Sequence, residues 1–366
     1  MLRITTPFHG AVLNRRHGEP SESALQIEVK GEADLADRVT VNGVEAERTG
    51  RSFRAVLDLA QAETDIAAVA EGPAGRSEHA VRVVWDKNSH PRYRFSIDDN
   101  SFFLRDVASR RYDSLFDCFY LAGLRNLNRE YGAKFVLNCY YTTGDDFSLP
   151  DFPDRYKGEW RDNAHWLKLS FHAWADTPAR PYQYASGEKL ASDFDKVAGE
   201  IARFAGEETW SPPTVIHWGM VQPEAFPVLV ERGVKVLSGF FSKRAGHYDV
   251  NYWLDEERSA YLDGHDALKD FESGIVFSKV DIVCNNAAVD QIVPTLKPLT
   301  RDPARAEIMD LFTHEQYFWD FYSHYRPDHF DRLNAAIRFC AERGYDPVFF
   351  HEGLLGAPPN TPPPSS

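Results

Sequence analysis

Cysteine is scarce. There are four in 366 residues, at positions 118, 139, 284 and 340, with no Cys-x-x-Cys pair among them. That spacing argues against a zinc–thiolate site and gives no disulfide framework. Each thiol lies in an apolar or amphipathic run and is read as a buried, reduced core residue. Basic charge is also short: 41 Lys and Arg stand against 55 Asp and Glu, for a net charge of −14. Nucleic acid and an anionic membrane surface are thereby disfavoured as partners, since both need a basic face. No stretch approaches the ~20 apolar residues that span a bilayer. Residues 1–6 lack the apolar core of a secretory signal. The sequence as it stands reads as cytoplasmic, or as secreted or periplasmic if a signal has been removed. Nothing in it fixes an oligomeric state. Apolar and aromatic residues are plentiful, at 43% and 13%, which excludes disorder as the dominant state. The length suits two domains, each long enough to bury a core.

The patterning divides near residue 90. Residues 1–87 read as a small β domain. Leu25-Gln26-Ile27-Glu28-Val29 and Phe53-Arg54-Ala55-Val56-Leu57 alternate apolar and polar, as half-buried strands do. Val39-Thr40-Val41 runs into Asn42-Gly43, a strong hairpin signal. Further strands at 66–70 and 81–85 flank the turn Gly72-Pro73-Ala74-Gly75. Strands about ten residues apart with turns between them predict a β-sandwich. This run resembles a bacterial immunoglobulin-like module, which implies a structural or binding appendage to a carbohydrate-active domain.

Residues 88–92 read as a linker, and beyond them strands alternate with helices. Strands are expected at 93–98, 133–141, 167–174, 213–220, 234–241, 275–284, 308–314 and 347–351. Helices are expected at 190–204, 223–232 and 328–343. In the first of these, Leu190, Phe194, Val197, Ile201 and Phe204 recur at the helical period. In the last, Phe330, Leu333, Ile337 and Cys340 do so, between Asp328 as N-cap and Gly344 as stop. The alternation predicts a parallel sheet closed or nearly closed into a barrel over residues 93–356. The Pro/Ser-rich tail 357–366 is expected to be disordered.

In such a fold the site lies at the carboxyl ends of the strands. There the sequence places Asp98-Asp99, then Asn138 and Tyr140, His172 with Asp176 four residues on, His217-Trp218, Asp281, and His314-Glu315-Gln316. This recurrence of Asp and His argues for an enzyme. Asp98 and Asp99 suit a proton-abstracting base beside a metal ligand, or a helix N-cap with a solvated neighbour. His172 and Asp176 would share a cation if the chain turns helically after the strand. Otherwise they are a core histidine and a turn aspartate. One imidazole with two carboxylates suits Zn, Co, Mn, Fe or Ni. His217 is either a site residue, with Trp218 beside it offering a ring to a sugar, or a buried, hydrogen-bonded histidine. Asp281 is either a further ligand or a polar anchor. The loop 142–166 reads as a lid or binding edge, or as a floppy surface excursion.

Three segments carry a family resemblance. Ser96-Ile97-Asp98-Asp99, the run 170–176 (SFHAWAD) and Leu311-Phe312-Thr313-His314 resemble, in order, three motifs of the polysaccharide deacetylase family (carbohydrate esterase family 4). The resemblance implies a distorted (β/α)7 barrel and a metal-dependent hydrolase that removes acyl groups from amino sugars or a polysaccharide. Carried over by position, Asp98 is the general base and His314 the general acid. Asp99, His172 and Asp176 hold the divalent metal. Asn138, Tyr140, Arg180, His217, Trp218 and Asp281 are expected to bind a carbohydrate substrate. There are departures. Asp176 replaces the motif's second histidine and Asn100 its usual glycine. Arg180-Pro181-Tyr182 only echoes the arginine motif, and Ser238-Gly239-Phe240-Phe241 stands where an Asp-Trp motif is usual. The alternatives are a glycoside hydrolase using paired carboxylates and a carbohydrate-binding protein without activity. A metal requirement separates the deacetylase reading from both.

Overall fold

A computed structural model describes residues 1–34, 38–73, 75–144 and 146–355. The tail expected to be disordered lies outside the described residues. The protein is a multidomain α/β chain in two compact units, Met1–Ser89 with Ala267–Gly274, and His90–Asp266 with Ile275–Leu354.

The first unit holds two five-stranded sheets. Leu25–Glu32 and Ser52–Leu59 pair antiparallel and alternate buried with exposed residues along their length. Leu25, Ile27 and Val29 thus stand opposite Leu59, Leu57 and Ala55 on the buried face. The second sheet turns at Asn42-Gly43, where both residues take positive φ (47° and 82°). That is the backbone a tight hairpin twisted with its strands requires. Val41 and Val44 pair across it.

In the second unit a parallel sheet runs in the order Trp210–Ser211, Leu167–Ala173, Phe135–Tyr140, Arg92–Asn100, Ile308–His314, Ile282–Val283. A separate parallel ladder joins Val236–Gly239 to Val276–Lys279. The expected β–α alternation is present, but among the described residues the strands do not close into a hydrogen-bonded barrel. On one side the edge strand Trp210–Ser211 is stopped by Pro212-Pro213, which have no N–H to extend a ladder. Ser238 N to Thr214 O (2.7 Å) bridges onward. On the other side the chain changes partners at Val280-Asp281. Val280 N bonds to Gly239 O (3.0 Å), while Asp281 N turns to Asp310 O (2.9 Å). Two expected strands shrink accordingly. Residues 213–220 hold a 3-10 turn, His217–Gly219, and the expected strand 347–351 is reduced to the short strand Asp346–Pro347 beside Arg92–Asn100, with Val348 N bonded to Tyr93 O (2.9 Å).

The helix Gly187–Ala205 buries Leu190, Phe194, Val197, Ile201 and Phe204, and Ser186 Oγ caps it by accepting from Lys189 N. The helix His329–Ala341 buries Leu333, Ile337 and Cys340. Asp328 precedes it, but its carboxylate pairs with Arg332 instead of capping. Among the described residues of the segment 142–166, Phe152, Tyr156 and Trp160 are buried. All four cysteines are free and buried. No helix among the described residues is long and apolar enough to cross a membrane.

Below the carboxyl ends of the strands lies a buried polar layer. Arg94 Nε donates to Asp310 Oδ1 (2.5 Å) and its Nη1 to Thr214 Oγ1 (2.7 Å), while Ser278 Oγ donates to Asp310 Oδ2 (3.1 Å). Removing one partner strands the other charge in the interior. Arg94→Met is therefore expected to cost about 3–5 kcal/mol of stability, most of it recovered in the Arg94→Met/Asp310→Leu double variant. Urea unfolding of the three proteins measures it.

Candidate metal centre and active site

The paired aspartates reach one site through a backbone irregularity. Period-two alternation sets Arg94, Ser96 and Asp98 on one face of their strand and would send Asp99 to the other. The register against Phe135–Tyr140 slips between Ile97 and Asn100, and Asp99 takes φ +62°. This left-handed turn, which aspartate tolerates better than most residues, brings its carboxylate back beside Asp98. Asn100 holds the slip: its Nδ2 donates to Ile97 O (2.5 Å) and Asn138 O (3.1 Å), and its Oδ1 accepts from Tyr120 (2.8 Å). The helix Phe102–Arg110 starts immediately afterwards with no cap from its own Ser101. Glu315 supplies it, its carboxylate accepting from the N–H groups of Ser101 (2.6 Å), Phe102 (2.9 Å) and Phe103 (2.5 Å). A buried carboxylate on three orphan N–H groups suits the positive end of a helix.

Asp99 Oδ1 lies 3.0 Å from His172 Nε2 and 3.4 Å from His217 Nδ1, and those two nitrogens are 2.9 Å apart. These three buried residues form a group that could hold a metal ion. One carboxylate oxygen and two imidazole nitrogens are a donor set suited to zinc and its first-row neighbours. Gln316 Nε2 donates to the other oxygen of Asp99 (2.8 Å), and the Tyr140 hydroxyl donates to Oδ1. Asp98 stands beside the group, with its Oδ2 3.9 Å from His172 Nε2. Its Oδ1 accepts from Asn138 Nδ2 (2.6 Å) and Ser96 Oγ (3.1 Å).

Burial alone would raise the Asp99 carboxyl. The hydrogen bond from His172 and the charges of His314, His172 and His217 overturn this and hold it well below the usual carboxylate range. The two histidines diverge. Burial, then the neighbouring charge of His172, pushes His217 down to about 3. Burial works against a charge on His172 too, but Asp98 and the Asp99 hydrogen bond raise it. The two facing nitrogens thus sit in opposite electrostatic surroundings 2.9 Å apart.

Asp98, Asp99, His172, Asp176, His217, Trp218 and His314 all line one cavity of about 280 Å³. Asn138 is fully buried and orients Asp98, so the expected contact with substrate is replaced by a positioning one. Tyr140 is buried behind Asp99. Arg180 is held in a two-pronged ion pair with Asp249 (2.8 and 2.7 Å) and lies 4.8 Å over the Trp218 ring. Asp281 is a polar anchor, paired with Arg305 and accepting from Asp310 N (2.8 Å). It stands level with Asp310 and well below His314. Asp176 is not in the metal group. The chain after Ala173 bends instead of forming a helix, so residues four apart do not share a face. The Asp176 side chain is 72% exposed, 3.7 Å from His217 Nε2 and 3.3 Å from the Tyr140 hydroxyl. His217 stands in the group with Asp99 and His172.

His314 is tied by its Nδ1 to Asn285 Oδ1 (3.0 Å), which leaves Nε2 on the cavity side, 4.0 Å from Asp99 Oδ2. Asn285 Oδ1 also accepts from Thr313 Oγ1 (3.2 Å), and Thr313 Oγ1 in turn meets His329 Nε2 (2.9 Å). The Thr313 proton being spent on Asn285, His329 donates here as a neutral ring. Burial, then the charge of Arg332, pushes His329 down to about 3. An unfolded chain takes up a proton on this residue below about pH 6.5, and the folded one does not. The contribution of His329 to stability therefore falls as the pH falls through that window, by about 2 kcal/mol from pH 7 to pH 5. Urea unfolding at the two pH values is expected to show His329→Gln less pH-sensitive by that amount.

Glu315, Gln316 and Asn285 all stand at strand ends where polar residues cluster, but nothing in the sequence assigns them their partners. No family model matches the chain, and no curated protein does. Solved structures give weak likenesses. A modular endo-β-1,4-mannanase from Cellulomonas fimi is 15% identical over 23% of this chain and 18% of its own, with a TM-score of 0.17. The fibronectin(III)-like modules of Clostridium thermocellum CbhA are 14% identical over 28% of this chain and 57% of theirs, with a TM-score of 0.19. A Bacteroides ovatus GH5 xyloglucanase is 8% identical over 93% of this chain and 100% of its own, with a TM-score of 0.26. The chain spans less than two thirds of the first two. Scores this low assign neither fold family nor activity.

Proposed function

We propose that the second unit is a metal-dependent hydrolase that removes acyl groups from the nitrogen of amino sugars, free or within a polysaccharide. The observation that carries this reading is the convergence of Asp99, His172 and His217, with Asp98 and His314 beside them on the same cavity. A divalent cation of the zinc type held there would supply a Lewis acid and lower the pKa of water.

The protein's own groups divide the proton work. Asp98 is oriented through one oxygen by Asn138 and Ser96, which frees Oδ2 to take the proton of an attacking water. His314 is held by Asn285 at Nδ1 and presents Nε2 to the cavity, where it gives a proton to the departing amine. The acyl carbon gains oxygen and loses nitrogen, so the products are a carboxylic acid and a free amine. Trp218, 39% exposed at the mouth, offers a flat face to a sugar ring. We read the open parallel sheet as a variant of the deacetylase barrel, and the first unit as an immunoglobulin-like appendage.

A glycosidase is less well supported. Asp98 and Asp99 both approach the same nitrogen of His172 instead of flanking a gap, and Asp99 is taken up by the metal group. The test is acetate release from N-acetylated glucosamine oligomers, alongside elemental analysis of the purified protein. One transition metal per chain and activity abolished by a chelator and restored by zinc are expected. Full activity in metal-free protein would overturn the proposal.

A further inference from the structure

The cavity has two chemically different sides. Its lining from the strands Arg92–Asn100 and Leu167–Ala173 is wholly polar: Asp98, Asp99 and His172. Elsewhere the lining includes an apolar patch made by Val215, Phe240, Val250, Val280, Val283 and Phe312. Ser238, Arg244, Asn285, Asn286 and Tyr317 also line the cavity; Arg244 lies over the Phe240 ring and Asn285 Oδ1 is taken by Thr313 and His314. Two glycines allow the apolar patch to close. A Cβ on Gly219 would stand 2.7 Å from Val250 Cγ1, and one on Gly239 would stand 2.7 Å from Val250 O. Lys279, itself buried, holds the turn beyond Gly239 in place by donating to Phe240 O and to Ser242 Oγ (2.5 Å).

A sugar ring gains little from this patch: a hydroxyl set against its six apolar side chains loses its hydrogen bonds to water and meets no partner from them. The cavity as a whole, about 280 Å³, is close to the roughly 300 Å³ at which small-molecule sites begin, so it has room for more than an acetyl group. The group that fits is apolar, extended and attached next to the reacting carbonyl. Building on the proposed hydrolase, we infer that the acyl group it removes is a straight alkyl chain longer than acetyl. Water adds at the carbonyl carbon, the C–N bond breaks, and the chain leaves as a fatty carboxylate. The sugar stays at the mouth beside Trp218.

The test is a series of N-acetyl-, N-propionyl- and N-butyryl-glucosamine. Turnover by the zinc-loaded protein and binding to the metal-free protein are measured, the latter by calorimetry. Both kcat/KM and affinity are expected to rise about fourfold per methylene, so about 16-fold from acetyl to butyryl. Val280→Phe is expected to flatten the series. Val283→Phe repeats the test should the first variant fold poorly by thermal melting. Affinity that rises with chain length without turnover would leave the pocket standing and overturn the hydrolase. Turnover that is greatest for acetyl, or affinity that ignores chain length, would overturn the pocket.

Discussion

Replacing His217 by alanine is expected to strip the protein of its cation and of its activity, while Asp176→Ala leaves most of both. The His217 ring is buried, its Nδ1 is 2.9 Å from His172 Nε2 and 3.4 Å from Asp99 Oδ1, and low basicity keeps it neutral and available to a metal. Loss of a partner that only orients a ligand costs about 10–100-fold in metal affinity. Loss of one of three ligands should exceed that, so His217→Ala is expected to weaken zinc by more than about 100-fold. Asp176 is exposed and reaches the group only through His217 and Tyr140. Its removal is expected to weaken zinc no more than about tenfold. Competition against a chromogenic chelator measures both. Equal losses would put Asp176 in the ligand set and make His217 an outer partner.

That contrast shows where residue order stops being informative. The spacing from His172 to Asp176 is a helical spacing, and it is meaningful only if the chain is helical there. A bend before Thr177-Pro178 removes that condition. His217 lies 45 residues from His172 in sequence. Only the packing of a 3-10 turn beside the strand Leu167–Ala173 brings their rings together. The paired aspartates are legible as a strand ending, because an apolar run stops at them. The device that lets both serve one site, a register slip with Asp99 in the left-handed region, leaves no trace in hydrophobic patterning. Helix faces are read directly, since Leu190, Phe194, Val197, Ile201 and Phe204 have no other place to bury themselves. Barrel closure is not legible in the same way. Eight apolar runs suggest eight strands, yet Pro212-Pro213 and the change of partner at Asp281 divide the ladders. Asp281 misleads for a related reason. Its chain position suggests a strand end, while its side chain sits deep in a charge pair with Arg305.

The second large effect concerns Asp98. Asp98→Asn keeps the shape, and the amide oxygen of the substituted side chain can still accept from Asn138. What is lost is the acceptor at the second oxygen. If Asp98 is the base, kcat is expected to fall by about 10²–10⁴ while zinc stoichiometry and KM stay as they were. Asn138→Leu is a different change. It leaves the carboxylate intact but removes the shortest bond that orients it, 2.6 Å against 3.1 Å from Ser96. A fall in kcat of about tenfold is expected there, with a normal pH profile, because the base remains and only its aim is loosened. Zinc titration and steady-state kinetics on both variants separate the roles. The 3.9 Å between Asp98 Oδ2 and His172 Nε2 is short enough for the carboxylate to swing onto the cation. Loss of zinc in Asp98→Asn would therefore make Asp98 a fourth ligand, and the proton would then have to pass to another group on the cavity, of which His314 is the nearest candidate facing Asp99.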